Sequence, residues 1–209
     1  MGKIKSFGLS AGFRIGNYEV LETLGRGRTG EVYRTKEVMS DAIRAIKIFD
    51  NFSNREAIAH QMDFAHYAFV LERHSQSNIG LLPRYYHMGH SFLPPKTGKK
   101  DGDNAYVIGN YFIVQEYIES EKFVKSKCTD LMIEELVQKV KMTHVRTELA
   151  IGDMNRDNLR ISGDSIRVID CDYGSNEKSN KNYRKDLKSL ESLFDSDWIE
   201  YYHDLKVSP

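Results

Sequence analysis

Apolar and polar positions alternate from Asn17 through Arg34, in NYEVLETLGRGRTGEVYR, on both sides of a cluster of glycines. A period of two, with aromatic and β-branched residues flanking the cluster, predicts two strands joined as a hairpin. RAIKIF, Arg44 to Phe49, predicts a third short strand. The period then lengthens. Ala57, Ile58, Met62, Ala65, Phe69 and Val70 recur at helical spacing and predict a helix over Asn54 to His74, capped by Ser53 or Asn54. LLPRYYHMG returns to strand, PPKTGKKDGDN (Pro94 to Asn104) is a polar loop, and YFIVQEYI (Tyr111 to Ile118) is the most apolar strand of the chain. Leu131, Ile133, Leu136, Val137, Val140 and Val145 predict a second helix over Thr129 to Glu148. LRISGDSIRVID is two strands about a Gly-Asp turn, and Leu187, Leu190, Leu193 and Phe194 mark a third helix over Tyr183 to Phe194. The first half is therefore mostly strand with one helix, the second mostly helical with one hairpin.

Composition narrows what such a chain does. With 209 residues, 40% hydrophobic and 29% charged, it is long enough for two lobes with a real core and too apolar for wholesale disorder. A formal net charge of zero supplies no global attraction to nucleic acid or anionic membrane, so a charged ligand needs a local site. Cys128 and Cys171 show no zinc-ligand spacing and fit a reducing compartment. No apolar run has the length of a membrane span or of a signal-peptide core, so a cytoplasmic protein without an integral membrane segment is expected.

Two stretches carry chemistry. In the first, Gly25, Gly27 and Gly30 sit at a predicted hairpin tip, where backbone N–H groups are able to cradle phosphates. Lys47, in the middle of AIKIF, shares a strand face with Ala45, so that its ammonium points from the sheet toward the surface beneath the glycines. A plain glycine turn and a solvated sheet lysine are the bland alternatives. In the second, IGDMNRDNLRISGDSIRVIDCDYGS gathers Asp153, Asn158 and Asp170 within a few residues of a hairpin. Carboxylates placed so close repel unless a cation lies among them, and a divalent metal is the usual answer. Asx turns and a strand-end cap are the bland alternatives there.

Taken in order, LGRGRTGEVYR, AIK, FIVQEYI and GDMNRDN with the later VIDCDYG resemble the motifs of the eukaryotic-type protein kinases over about residues 18 to 175. The resemblance implies an α+β, bilobal fold: an antiparallel N-lobe sheet with one main helix, and a reduced, mostly helical C-lobe. It implies an N-terminal extension over 1–16, an N-lobe over 17–116 and a C-lobe over 117–209. It also implies ATP and Mg²⁺ as cofactors, with transfer of the γ-phosphate to a hydroxyl. Leu24, Gly25, Gly27, Gly30, Val32, Ala45, Lys47 and the backbone of Glu116 and Ile118 would then bind ATP, with Gln115 at the gatekeeper position. Asp153, Lys47 and Asn158 would be catalytic, with Asn158 and Asp170 on the metal. Glu56 is the expected ion-pair partner of Lys47, with Asp63 and Glu72 as the other candidates.

The chain also departs from that pattern. Gly152 stands where an arginine usually precedes the catalytic aspartate, Asn155 where a lysine usually follows it, and Asp172 where D-F-G ends in glycine. The glycine resembles phosphotransferases that write this segment H-G-D, including sugar and lipopolysaccharide-core kinases. Residues 171–209 are too few for a full C-lobe, although Asp186 matches the aspartate of the helix that follows the activation segment. This abbreviation resembles secreted bacterial effector kinases and lipopolysaccharide-core heptose kinases, so delivery into a host cell is a second expectation for location. Three functions follow: a protein Ser/Thr kinase first, a sugar or heptose kinase second, and a pseudokinase or nucleotide-binding interaction module third.

Overall fold

The computed structural model describes residues 7–27, 29–49, 57–92, 109–171 and 180–195. Contacts divide the chain into two units, residues 1–64 with 85–117, and residues 65–84 with 118–209.

The first unit is built on a six-stranded antiparallel sheet ordered β1-β2-β3-β4-β6-β5. Its strands are β1 (Arg14–Ile15), β2 (Tyr18–Arg26), β3 (Gly30–Glu37), β4 (Ile43–Phe49), β5 (Tyr85–Phe92) and β6 (Gly109–Glu116). Alternation along β2, β3, β4 and β6 sends Tyr18, Val20, Tyr33, Ile46, Ile48, Phe112 and Val114 into one core cluster with Leu9 and Ile15. Residues 7–16, read above as an extension, thus supply part of this core and a strand of the sheet. On the other face, Phe64 of helix α1 (Ala57–Ser77) packs edge-on against Phe49 at 5.1 Å and stacks on Tyr111 at 4.8 Å. LLPRYYHMG is strand only from Tyr85 onward, and Leu81 and Leu82 are buried outside the sheet.

The second unit holds a three-stranded sheet, β7 (Glu121–Lys122), β8 (Leu159–Ser162) and β9 (Ser165–Val168), with helices α2 (Asp130–Thr147) and α3 (Asn180–Phe194). Thr129 caps α2, its hydroxyl accepting the Met132 N–H at 3.3 Å, and Glu148 closes the helix in the left-handed conformation. The helices keep their predicted places; α3 buries Leu187, Leu190 and Phe194 as expected, while the buried stripes of α2 and α1 coincide with the expected ones only in part. In α2 the buried residues are Met132, Ile133, Leu136, Val137, Val140, Thr143, His144 and Thr147, whereas Leu131 and Val145 are exposed. In α1 the buried stripe runs Phe64, Tyr67, Ala68, Val70, Leu71 and His74, so Val70 faces inward as expected while Ala65 and Phe69 face out. Polar residues complete both stripes, so counting apolar positions alone rotates the inferred face. Among the described residues no helix is long and apolar enough to cross a membrane.

Candidate functional site

Strand register places the first group of residues. Val32 lies directly opposite Lys47, Lys47 opposite Ile113, and Ala45 opposite Gln115, so these five share one face of the sheet. That face is the reverse of the one carrying Ile46 and Ile48, as the period of two requires. Lys47 is 3% exposed, rather than the surface lysine expected from the sequence. Its ammonium lies 5.6 Å from the centre of the Phe49 ring, two residues along the same face, which places a cation against an aromatic π-cloud. Gln115 is also buried, and its side-chain oxygen meets no hydrogen-bond donor.

The three hairpin glycines have different physical reasons. A Cβ on Gly30 would lie 2.0 Å from the carbonyl oxygen of Ile48, so the β3–β4 ladder itself demands glycine there. Gly25 would meet nothing within 4 Å, and Gly27 only the Gly30 oxygen at 4.0 Å. Neither has a positive φ. Nothing within the fold requires glycine at these two positions, which leaves room for close approach of a ligand to the backbone. Leu24 is exposed beside them, and Glu116 ends β6 opposite Arg44. Ile118 opens the second segment of the second unit, where its carbonyl accepts from the Ser120 hydroxyl at 3.1 Å.

A hairpin and a net of side-chain hydrogen bonds place the second group. Leu159 pairs with Val168 across β8 and β9, and the next rung outward is the Ile169 N–H donating to the Asn158 carbonyl at 2.9 Å. Asn158 and Asp170, twelve residues apart, are thereby brought to the same end of the hairpin. Asp153 sits on a strained turn: Gly152 has φ +66° and Asp153 itself φ +33°. Each of its carboxylate oxygens accepts an amide. Asn155 Nδ2 donates to Oδ1 at 2.6 Å and Asn158 Nδ2 to Oδ2 at 2.9 Å. Asn155 Oδ1 in turn accepts the N–H groups of Asp157 and Asn158, at 2.9 and 3.2 Å, an Asx turn that closes the loop. The residue noted above as a missing lysine is thus the one that clamps Asp153, while Arg156 is exposed beside it.

Support comes from distant elements. Asp186 of α3 is 2% exposed, and its Oδ2 accepts the Ile151 N–H at 2.8 Å, anchoring the backbone just before the strained turn. Tyr67 of α1 is fully buried, and its hydroxyl donates to Asp170 Oδ1 at 2.9 Å, an oxygen that also accepts the Cys171 N–H at 3.0 Å. The sequence gives motif-level notice of Asp186 but none of Tyr67 or Asn155; an aromatic on an apolar helix stripe reads as core. Glu56 lies outside the described residues, as does the side chain of Asp63, and Glu72 is exposed.

No protein-family profile matches the chain, and no curated protein sequence matches it. Solved structures do match. PpkA-294 in its apo form superposes with a TM-score of 0.59 at 16% identity, covering 93% of this chain and 68% of that one. The kinase domain of Mycobacterium tuberculosis PknI superposes with a TM-score of 0.58 at 15% identity, covering 87% of this chain and 72% of that one. The chain has a protein-kinase-like fold. It is the reduced α+β form, a curled antiparallel sheet accompanied, among the described residues, by three helices.

The kinase-like fold gives the donor chemistry near Asp170 a context. A carboxylate and a carboxamide offer hard oxygen ligands, which suit Mg²⁺ or Mn²⁺ over softer metals. With Asn158 Nδ2 donating to Asp153, at 3.0 Å to its carbonyl and 2.9 Å to its carboxylate, the amide oxygen of Asn158 is the atom suited to a cation. Mg²⁺ is commonly held by one or two such protein ligands together with water and substrate phosphates, and this donor set fits that habit.

Proposed function

We propose that the protein is an ATP- and Mg²⁺-dependent phosphotransferase that moves the γ-phosphate to a hydroxyl acceptor, with serine and threonine in proteins as the first acceptor class. The observation that carries this reading is the hairpin register, which bonds the Asn158 carbonyl to the N–H of Ile169, the residue before Asp170, beside an exposed Asp153 whose carboxylate is fixed by two amides. In this reading Asp153 orients the acceptor hydroxyl and takes up its proton. Lys47 and the backbone at Gly25, Gly27 and Gly30 bind phosphate oxygens, and the ammonium compensates charge on the group in transfer. Asn158 and Asp170 hold Mg²⁺, which when bound neutralises phosphate charge. Val32 and Ala45 offer the adenine an apolar surface, Leu24 covers it, and the backbone of Glu116 and Ile118 reads its edge. Phosphoryl transfer needs positioning more than covalent chemistry, which these side chains are suited to supply.

A sugar hydroxyl is the second acceptor class. Gly152 at φ +66° holds a conformation that a side chain adopts only with strain, so the turn is shaped for the H-G-D type of loop rather than for an arginine. One experiment separates these readings. Incubated with labelled ATP and Mg²⁺, the wild type should label protein acceptors, and Asp153→Ala should reduce transfer by roughly 10²- to 10⁴-fold. Label confined to a glycan fraction would move the acceptor to sugar. Equal, low turnover in wild type and in the Asp153→Ala and Lys47→Met variants, with nucleotide still bound, would leave a nucleotide-binding interaction module.

A further inference from the structure

Among the described side chains of α1, the buried stripe is apolar apart from the His74 ring and the Tyr67 hydroxyl. Packing alone does not explain that hydroxyl. Phe64, Ala68, Val70 and Leu71 are its buried helix neighbours, and a phenylalanine at 67 would fill the same space without a polar atom to desolvate. The hydroxyl donates to Asp170 Oδ1 at 2.9 Å. The Cys171 N–H donates to the same oxygen at 3.0 Å. A carboxylate turns easily about its Cα–Cβ and Cβ–Cγ bonds. Two donors on one oxygen, one from a fully buried ring and one from the backbone, stop that rotation.

We propose that Tyr67 is a positioning residue that fixes the Asp170 carboxylate in the orientation a divalent cation needs. The inference rests on the reading of Asp170 as a metal ligand and assigns to this chain the partner that orients it. Partners of metal ligands typically change metal affinity by roughly 10- to 100-fold when removed.

The test measures metal uptake apart from turnover. Free Mn²⁺ is followed by electron paramagnetic resonance in the presence of ADP, for the wild type, Tyr67→Phe and Thr143→Val. Thr143 is a second buried residue of the same unit, and its hydroxyl has no hydrogen-bond partner, so its loss controls for removing a buried oxygen. The expected result is Mn²⁺ affinity roughly tenfold weaker in Tyr67→Phe, unchanged in Thr143→Val, with metal-free ADP affinity equal in all three. Incorporating 4-aminophenylalanine at position 67 regains an N–H donor at the same place and should restore the affinity; it also decides the matter should Tyr67→Phe fold poorly. Equal Mn²⁺ affinity in wild type and Tyr67→Phe, or in Tyr67→Phe and the aminophenylalanine protein, overturns the positioning role alone. A wild type that takes up no Mn²⁺ with ADP overturns the metal reading itself.

Discussion

The β2–β3 hairpin and the loop over 151–158 both present candidate chemistry, but they are held in place by opposite means. In the hairpin and the neighbouring β4 the backbone does the positioning: ladder bonds set the register, the register sets the face, and the face fixes Val32, Ala45 and Lys47. In the loop few backbone bonds are available, and side chains do the positioning instead, from Asn155 and Asn158 close by and from Asp186 far along the chain. A ladder spreads the cost of any one change over many bonds. A side-chain net concentrates it, so the two regions should fail differently when altered.

The sharpest break should come at Asp186. Its replacement in Asp186→Ala leaves the buried Ile151 N–H without its acceptor and should cost about 3 kcal/mol in urea unfolding. Asp186→Asn keeps an acceptor oxygen and should recover part of that loss. Equal stability of wild type and Asp186→Ala would mean that the loop is held by its own turns.

Acid should weaken the same supporting unit. His74 is buried on α1 and neither ring nitrogen has a partner, so burial holds its pKa down to about 4. The unfolded chain takes up a proton near 6.5, before the folded one does. The neutral ring therefore favours the folded state above pH 6.5, and that advantage is lost as pH falls from 6.5 toward 4, by up to about 3 kcal/mol. Chemical denaturation across that range should show the loss, and His74→Leu should flatten it.

Within the hairpin, Gly30 and Gly27 should part company. Gly30→Ala drives a Cβ into the Ile48 carbonyl and should cost about 2 kcal/mol. Gly27→Ala meets only open space and should stay within about 0.5 kcal/mol of wild type, while weakening nucleotide binding in a thermal-shift titration. Similar stabilities for the two would remove the distinction between a glycine the ladder needs and one left for a ligand. The smallest stability effect in the loop is expected at Asn155. Asn155→Ala should change unfolding by under about 1 kcal/mol, yet lower phosphoryl transfer by roughly tenfold or more, because Asp153 loses one of its two amide clamps.

Much of the fold was legible because strands advertise themselves by alternation. The hairpin, RAIKIF and the apolar strand before the unit boundary follow from period alone, and the same period puts Lys47 on the face opposite Ile46 and Ile48. Short strands escaped: Arg14–Ile15 and Glu121–Lys122 are two residues each, too brief to show a period. The helices were found, and α3 buries Leu187, Leu190 and Phe194 as their spacing implies, but the stripes of α2 and α1 are completed by Thr143, His144 and Thr147 and by Tyr67 and His74, which are buried despite their polar atoms. In the candidate site, Asp153, Asn158 and Asp170 stand out as a cluster in sequence, whereas the residues that hold them do not.

The amino-acid sequence by itself determined the alternating strands, the two hairpins and the kinase-like order of motifs, because each depends on residues near one another along the chain. Tertiary structure alone decided that Lys47 is buried, that Asn155 clamps Asp153, and that Asp186 and Tyr67 reach Ile151 and Asp170 from 35 and 103 residues away. Contacts at such separations leave no period behind them; they exist only once helices and sheet have packed and brought the donors within hydrogen-bonding distance.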